Sequence, residues 1–121
     1  MKTIFVVDDS PTILLSLKTT LEMHGFKVET ASDGQDALEK LGRGVKPDLI
    51  ITDLNMPRVD GFEFIKRVRQ LKEFRFKPIL VLTTESQLQK RQEAKRLGAT
   101  GWLVKPVSGN DLIKVIKKVL P

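Results

Sequence analysis

The chain has 121 residues, no cysteine, a single histidine and a net charge of +6. That length suits one domain with a core of its own and leaves no room for a second module, so a single domain over 1–121 without an effector domain is expected. The lack of cysteine excludes a disulfide framework and a thiolate metal site. No apolar stretch approaches a membrane span, and Met1-Lys-Thr leads into a short strand-like run rather than a signal-peptide core, so a soluble, cytoplasmic protein is expected.

Ile4 to Val7 is a short apolar run that ends on Asp8 and Asp9. Ser10-Pro11 then supplies an N-cap and a first-turn proline, and Leu14, Leu17 and Leu21 recur on one helical face until Gly25. Lys27 to Ala31 alternates apolar and polar, as in an edge strand with one wetter face. Asp33 to Leu41 is the second predicted helix, with Ala37, Leu38 and Leu41 facing inward.

Leu49 to Ile51 is a second apolar run and reaches Asp53, followed at once by Leu54, Asn55, Met56 and Pro57. Phe62 to Leu71 is helical in period, with Phe62, Ile65, Val68 and Leu71 on one face. Ile79 to Leu82 leads to Thr83, Thr84 and Glu85. The helix predicted over Ser86 to Leu97 differs from the others, because Leu88, Ala94 and Leu97 are nearly its only apolar residues. With so little area to bury it should be weakly anchored and easy to shift. Trp102 to Val104 leads to Lys105, and Asn110 to Leu120 closes the chain as an amphipathic helix.

The four apolar runs are too short for helices and rich in Val, Ile and Leu, as parallel strands covered on both faces would be. Strands alternating with helices give β/α units, right-handed crossovers and an open parallel sheet with helices on both faces. Ligands in such sheets bind outside the carboxyl ends of the strands. Asp8 and Asp9, Asp53, Thr83 and Thr84, and Lys105 all follow a predicted strand.

Taken singly, each has a plain reading: Asp8 and Asp9 as part of a helix cap, Asp53 as a turn residue, Lys105 as surface. Their common placement favours a site. Three neighbouring carboxylates repel one another and couple their titrations, a conflict that Mg²⁺ removes through oxygen ligands. A carboxylate, a hard cation, an ammonium and a hydroxyl together describe phosphoryl transfer to an aspartate. His24 is read as structural, and no glycine run with a Walker lysine is present.

The chain resembles a response-regulator receiver domain over its full length, through Val7-Asp8-Asp9-Ser10, Thr52-Asp53-Leu-Asn-Met-Pro57, Asp60-Gly61, Val81-Leu-Thr-Thr84 and Lys105-Pro106. The stretches Thr83-Thr-Glu-Ser86 and Gly98 to Pro106 are most similar to stand-alone chemotaxis regulators of that family. The resemblance implies a flavodoxin-like, doubly wound five-stranded sheet in strand order 2-1-3-4-5. It implies that Asp53 is the phospho-acceptor. Asp9, Asp53 and the Asn55 carbonyl would bind Mg²⁺, and Asp8 would act through water. Lys105 would pair with the phosphoryl group and Thr83 would move to meet it. Trp102 would stand at the switch position usually held by Tyr or Phe, and a cis bond before Pro106 is expected.

Asn55, Thr84 and Glu85 occupy positions that in receivers tune loss of the phosphoryl group. Thr84 departs from a frequent Ala or Gly, and Val107 from a frequent Phe. The implied partners are a histidine kinase of the CheA type, a target such as a flagellar switch component, and a phosphatase, with neither nucleic acid nor membrane insertion. Residues 1–85 carry 13 basic and 13 acidic residues, while residues 86–121 carry 8 against 2. Such a basic third could meet nucleic acid, an acidic protein surface, or only solvent. In the family the implied partner face coincides with it, through Lys90, Arg91, Lys95, Trp102 and Lys114. The rival readings are a phosphate sink or phosphorelay intermediate, and, more distantly, an aspartate-nucleophile phosphatase, which would want an acid where Asn55 stands.

Overall fold

Five strands form one parallel sheet in the computed structural model, which describes residues 1–120: β1 (Thr3–Val7), β2 (Lys27–Ala31), β3 (Leu49–Thr52), β4 (Ile79–Thr83) and β5 (Gly101–Val104). They lie in the order β2-β1-β3-β4-β5. Val7 pairs with Ala31 on one side and Thr52 on the other, and Thr83 pairs with Val104. The helices are α1 (Pro11–Met23), α2 (Gly34–Gly42), α3 (Gly61–Gln70), α4 (Leu88–Leu97) and α5 (Gly109–Val119), with a single 3₁₀ turn at Lys72–Phe74. This is the flavodoxin-like, doubly wound fold expected of the sequence.

Alternate strand residues serve opposite faces. Phe5, Val7, Ile50 and Val81 pack with Ala37, Phe64, Ile65, Val68 and Ala94 under α2, α3 and α4. Ile4, Val6, Leu49, Ile51, Leu80 and Leu82 pack with Leu21, Leu112, Ile113 and Ile116 under α1 and α5. Burial on both faces is why β1, β3 and β4 read as continuous apolar runs. β5 departs from that expectation: it is an edge strand and Val104 is 45% exposed, because no strand lies beyond it.

Four helices start on a side-chain cap. Ser10 accepts from the Ile13 amide, Asp33 from Asp36, Asp60 from Glu63 and Ser108 from Asp111. α4 has none at Gln87 and begins at Leu88 rather than Ser86, because Gln87 is extended and the Glu85 carboxylate takes the amides of Ser86 and Gln87.

Weak anchoring of α4 holds for its start only. Leu88 is 65% exposed and Ala94 is the helix's one fully buried side chain, whereas α3 buries Phe64, Ile65 and Val68 completely. Each such side chain contributes about 1.5–3 kcal/mol, so α3 is the fixed element of the two. The end of α4 is held by Arg69 of α3, whose guanidinium donates to the Gly98 carbonyl at 2.7 and 3.1 Å and to the carbonyls of Phe74 (2.7 Å) and Lys77 (2.6 Å). Burial lowers the Arg69 pKa. Gly98 ends the helix at φ +118°, and a Cβ there would meet the Arg69 side chain at 2.8 Å.

Candidate functional site

The strand order places the ends of β1 and β3 side by side. Asp8 continues β1 by donating its amide to the Ala31 carbonyl, and Asp53 continues β3 by donating to Val7. Both carboxylates are nearly buried, while Asp9 is exposed. One carboxylate oxygen from each of the three lies within 4.8 Å of the others.

Lys105 arrives from the end of β5. Its amide donates to the Thr83 carbonyl at 2.8 Å, and its ammonium reaches across to Asp8 Oδ2 at 2.6 Å and Asp53 Oδ2 at 3.0 Å. The Lys105–Pro106 bond is cis, as expected. Burial would depress the lysine pKa, but the hydrogen bonds it donates to Asp8 and Asp53 outweigh that and hold the pKa above the ordinary lysine value. Three carboxylates and one ammonium leave the cluster negative.

The other oxygens are tied to backbone. Asp8 Oδ1 accepts the Ser10 amide at 2.9 Å, and Asp53 Oδ1 accepts the Leu54 amide at 2.6 Å and the Asn55 amide at 3.5 Å. Asn55 itself is exposed. The loop behind Asp53 is held close by Gly61, whose amide donates to the Leu54 carbonyl and where a Cβ would meet the Asp53 carbonyl oxygen at 2.3 Å.

Thr83 is fully buried, and its hydroxyl accepts the Glu85 amide at 3.3 Å rather than meeting Lys105 or Asp53. Thr84 is exposed. The Glu85 carboxylate faces Lys90 at 3.0 Å, which keeps its pKa below the usual carboxylate range. Trp102 is half-buried against the α2–α3–α4 core and lines a groove of about 200 Å³ with Arg91, Lys95, Ala99, Thr100 and Gly101. Lys114 is exposed on α5.

The donor set is all oxygen, which suits a hard divalent cation. With one oxygen from each of Asp8, Asp9 and Asp53 within 4.8 Å of the others, the three acids are close enough together to serve a single ion.

Sequence reasoning missed Arg58, Arg69, the close approach of Gly34 to Val59 and that of Gly61 to Asp53. Arg58 has φ +64° and forms a two-pronged ion pair with Asp33, 25 residues earlier. Asp33 was legible only as the start of a helix, and no local spacing announces such a pair.

The chain matches the response regulator receiver domain family over residues 4–117. It is 48% identical to the chemotaxis protein CheY4 of Vibrio cholerae, whose structure superposes with a TM-score of 0.94 over 99% of both chains. It is 38% identical over 120 residues to protein PilH of Pseudomonas aeruginosa, covering 99% of this chain and 98% of that one. It is also 40% identical to the alkaline phosphatase synthesis transcriptional regulatory protein PhoP of Bacillus subtilis, covering 98% of this chain but 48% of that protein. No helix among the described residues is long and apolar enough to cross a membrane.

Proposed function

Because the chain belongs to the response regulator receiver family, we propose that it is a single-domain regulator that takes a phosphoryl group from a histidine kinase onto Asp53 and signals through the face built by α4, β5 and α5. The observation that supports this most is the grip of Lys105 on Asp8 and Asp53 beside a third acid at the strand ends. That arrangement holds a carboxylate ready as nucleophile and keeps an ammonium next to it.

In this reading the Asp53 carboxylate attacks the phosphorus of a phosphohistidine. The new bond is P–O and the broken bond is P–N, whose electron pair leaves on the imidazole. Lys105 exchanges its contact with Asp53 for one with the arriving phosphoryl oxygens, so the ammonium stays paired. Asp9, Asp53 and the Asn55 carbonyl would hold Mg²⁺, with Asp8 acting through water. When bound, the ion supplies charge neutralisation at the transferring oxygens. The Thr83 hydroxyl, held here only by the Glu85 amide, would turn to the phosphoryl group and release the start of α4. Asn55, Thr84 and Glu85 border the path of an attacking water and would set the lifetime of the acyl phosphate.

Similarity to the chemotaxis protein CheY4, with the basic groove beside Trp102, favours a chemotaxis-type pathway and an acidic target. Trp102 is the only tryptophan in a chain without tyrosine. Mg²⁺ and then acetyl phosphate are expected to change its fluorescence in two steps, with the second step absent in Asp53→Asn. An unchanged signal with no mass increase on Asp53 would sink the assignment.

A further inference from the structure

Arg58 is the one described residue other than glycine with a positive φ. It is the middle of a three-residue turn closed by the Val59 amide on the Pro57 carbonyl at 2.8 Å. Side chains avoid this conformation, and where one persists its surroundings must hold it. Here the surroundings are visible: Arg58 Nε donates to Asp33 Oδ2 at 2.8 Å and Nη2 to Asp33 Oδ1 at 3.0 Å. Asp33 is itself fixed as the cap of α2, accepting the Asp36 amide at 2.8 Å. Beside it the Gly34 amide donates to the Val59 carbonyl, and a Cβ on Gly34 would strike that oxygen at 2.3 Å.

The loop from Asp53 to Gly61 is therefore fastened at both ends. Gly61 closes it onto Leu54, and α2 closes it at Arg58 and Val59. Asn55 lies between the two fastenings, is exposed, and makes only the long 3.5 Å contact to Asp53. We propose that Asp33 and Arg58 are positioning residues for the cation site, the bidentate pair fixing the loop so that the Asn55 carbonyl faces the acids of Asp9 and Asp53. This rests on the Mg²⁺ reading above.

Charge and geometry make opposite predictions for Arg58. Removing a cation from the protein would by Coulomb attraction alone tighten Mg²⁺ binding, whereas loss of the fastening loosens it. Outer partners of metal ligands typically change affinity at least about tenfold. Calorimetric titration of the intact protein with Mg²⁺ is expected to give a Kd raised by about tenfold in Arg58→Ala. Arg58→Lys should do little better, since an ammonium cannot form the two-pronged pair. Asp33→Asn, which retains a capping oxygen, should weaken binding similarly, and the double variant no further than either single one.

Unchanged or tighter binding in Arg58→Ala, in a protein whose metal-free melting remains cooperative, would overturn the proposal. So would full rescue by Arg58→Lys or additive effects in the double variant. Failure of the unsubstituted protein to bind Mg²⁺ would instead remove the cation site itself, and this inference with it.

Discussion

Lys105 joins carboxylates delivered by two strands that are not its neighbours, since β5 pairs only with β4. Its side chain is 14% exposed and those of Asp8 and Asp53 are less accessible still, so these charges are poorly served by water. Removing one member of such a buried pair costs about 3–5 kcal/mol, because the partners remain charged and uncompensated. Here the cost falls at the lower end, since exposed Asp9 shows water reaching the rim. Lys105→Met is thus expected to lower metal-free stability at pH 7 by about 3 kcal/mol, measured by urea unfolding. The lysine pKa is raised in the folded state. Its stabilisation is therefore complete below about pH 10 and is lost as pH rises through the higher folded value. The stabilities of Lys105→Met and the unsubstituted protein should accordingly converge in alkali; a gap that persists undiminished there would refute the charge argument.

Among the elements, α4 carries two different halves. Its start lacks a side-chain cap, exposes Leu88 and leans on the Glu85–Lys90 pair, while its end is pinned by Ala94, Gly98 and Arg69. Amide exchange is expected to be fast over residues 88–91 and slower over residues 94–98, and Arg69→Met should abolish that difference. The substitution leaves the Gly98, Phe74 and Lys77 carbonyls without their donor, so a loss of about 2 kcal/mol should accompany it. Equal exchange along the helix in the unsubstituted protein would contradict the two-halved description. The poverty of apolar residues in α4 was legible in the sequence, but the hinge-like asymmetry was not. It depends on a guanidinium gathering carbonyls from three segments, a contact with no periodicity. β1, β3 and β4 were legible because burial on both faces forces unbroken apolar runs, and β2 through its alternation; β5 was legible as a strand, but its apolar run overstated its cover, since a four-residue edge strand can be equally apolar. Asp8, Asp53 and Lys105 stood out through position after strands; Arg58 and Asp33 did not, because a pair 25 residues apart has no local mark.

Over the whole molecule, the basic excess lies in residues 86–121, but the fold neutralises part of it internally. Lys90 pairs with Glu85, Arg96 with Glu93 and Lys105 with the strand-end acids. Arg91, Lys95, Lys114, Lys117 and Lys118 form no ion pair among the described residues, and the first two flank the Trp102 groove. An acidic partner of this face should associate more slowly as salt rises from about 0.01 M to about 0.1 M, where the screening length shrinks from about 30 Å to about 10 Å. Stopped-flow association should show that slope, and Arg91→Glu with Lys95→Glu should flatten it. A rate indifferent to both salt and substitution would separate the face from charge steering.

The reach of Lys105 also bears on the order in which the molecule can assemble. A ribosome delivers Asp8 and Asp53 long before residue 105, so a nascent chain possesses the acids while their counter-ion is still unmade. A partial sheet of β1 to β4 would carry two sheltered negative charges without Lys105 to offset them, and would gain most of its electrostatic relief only when β5 docks. The contact that gathers the strand-end acids therefore penalises a sheet of β1 to β4 standing alone and couples β5 to β1 and β3 in one cooperative folding unit.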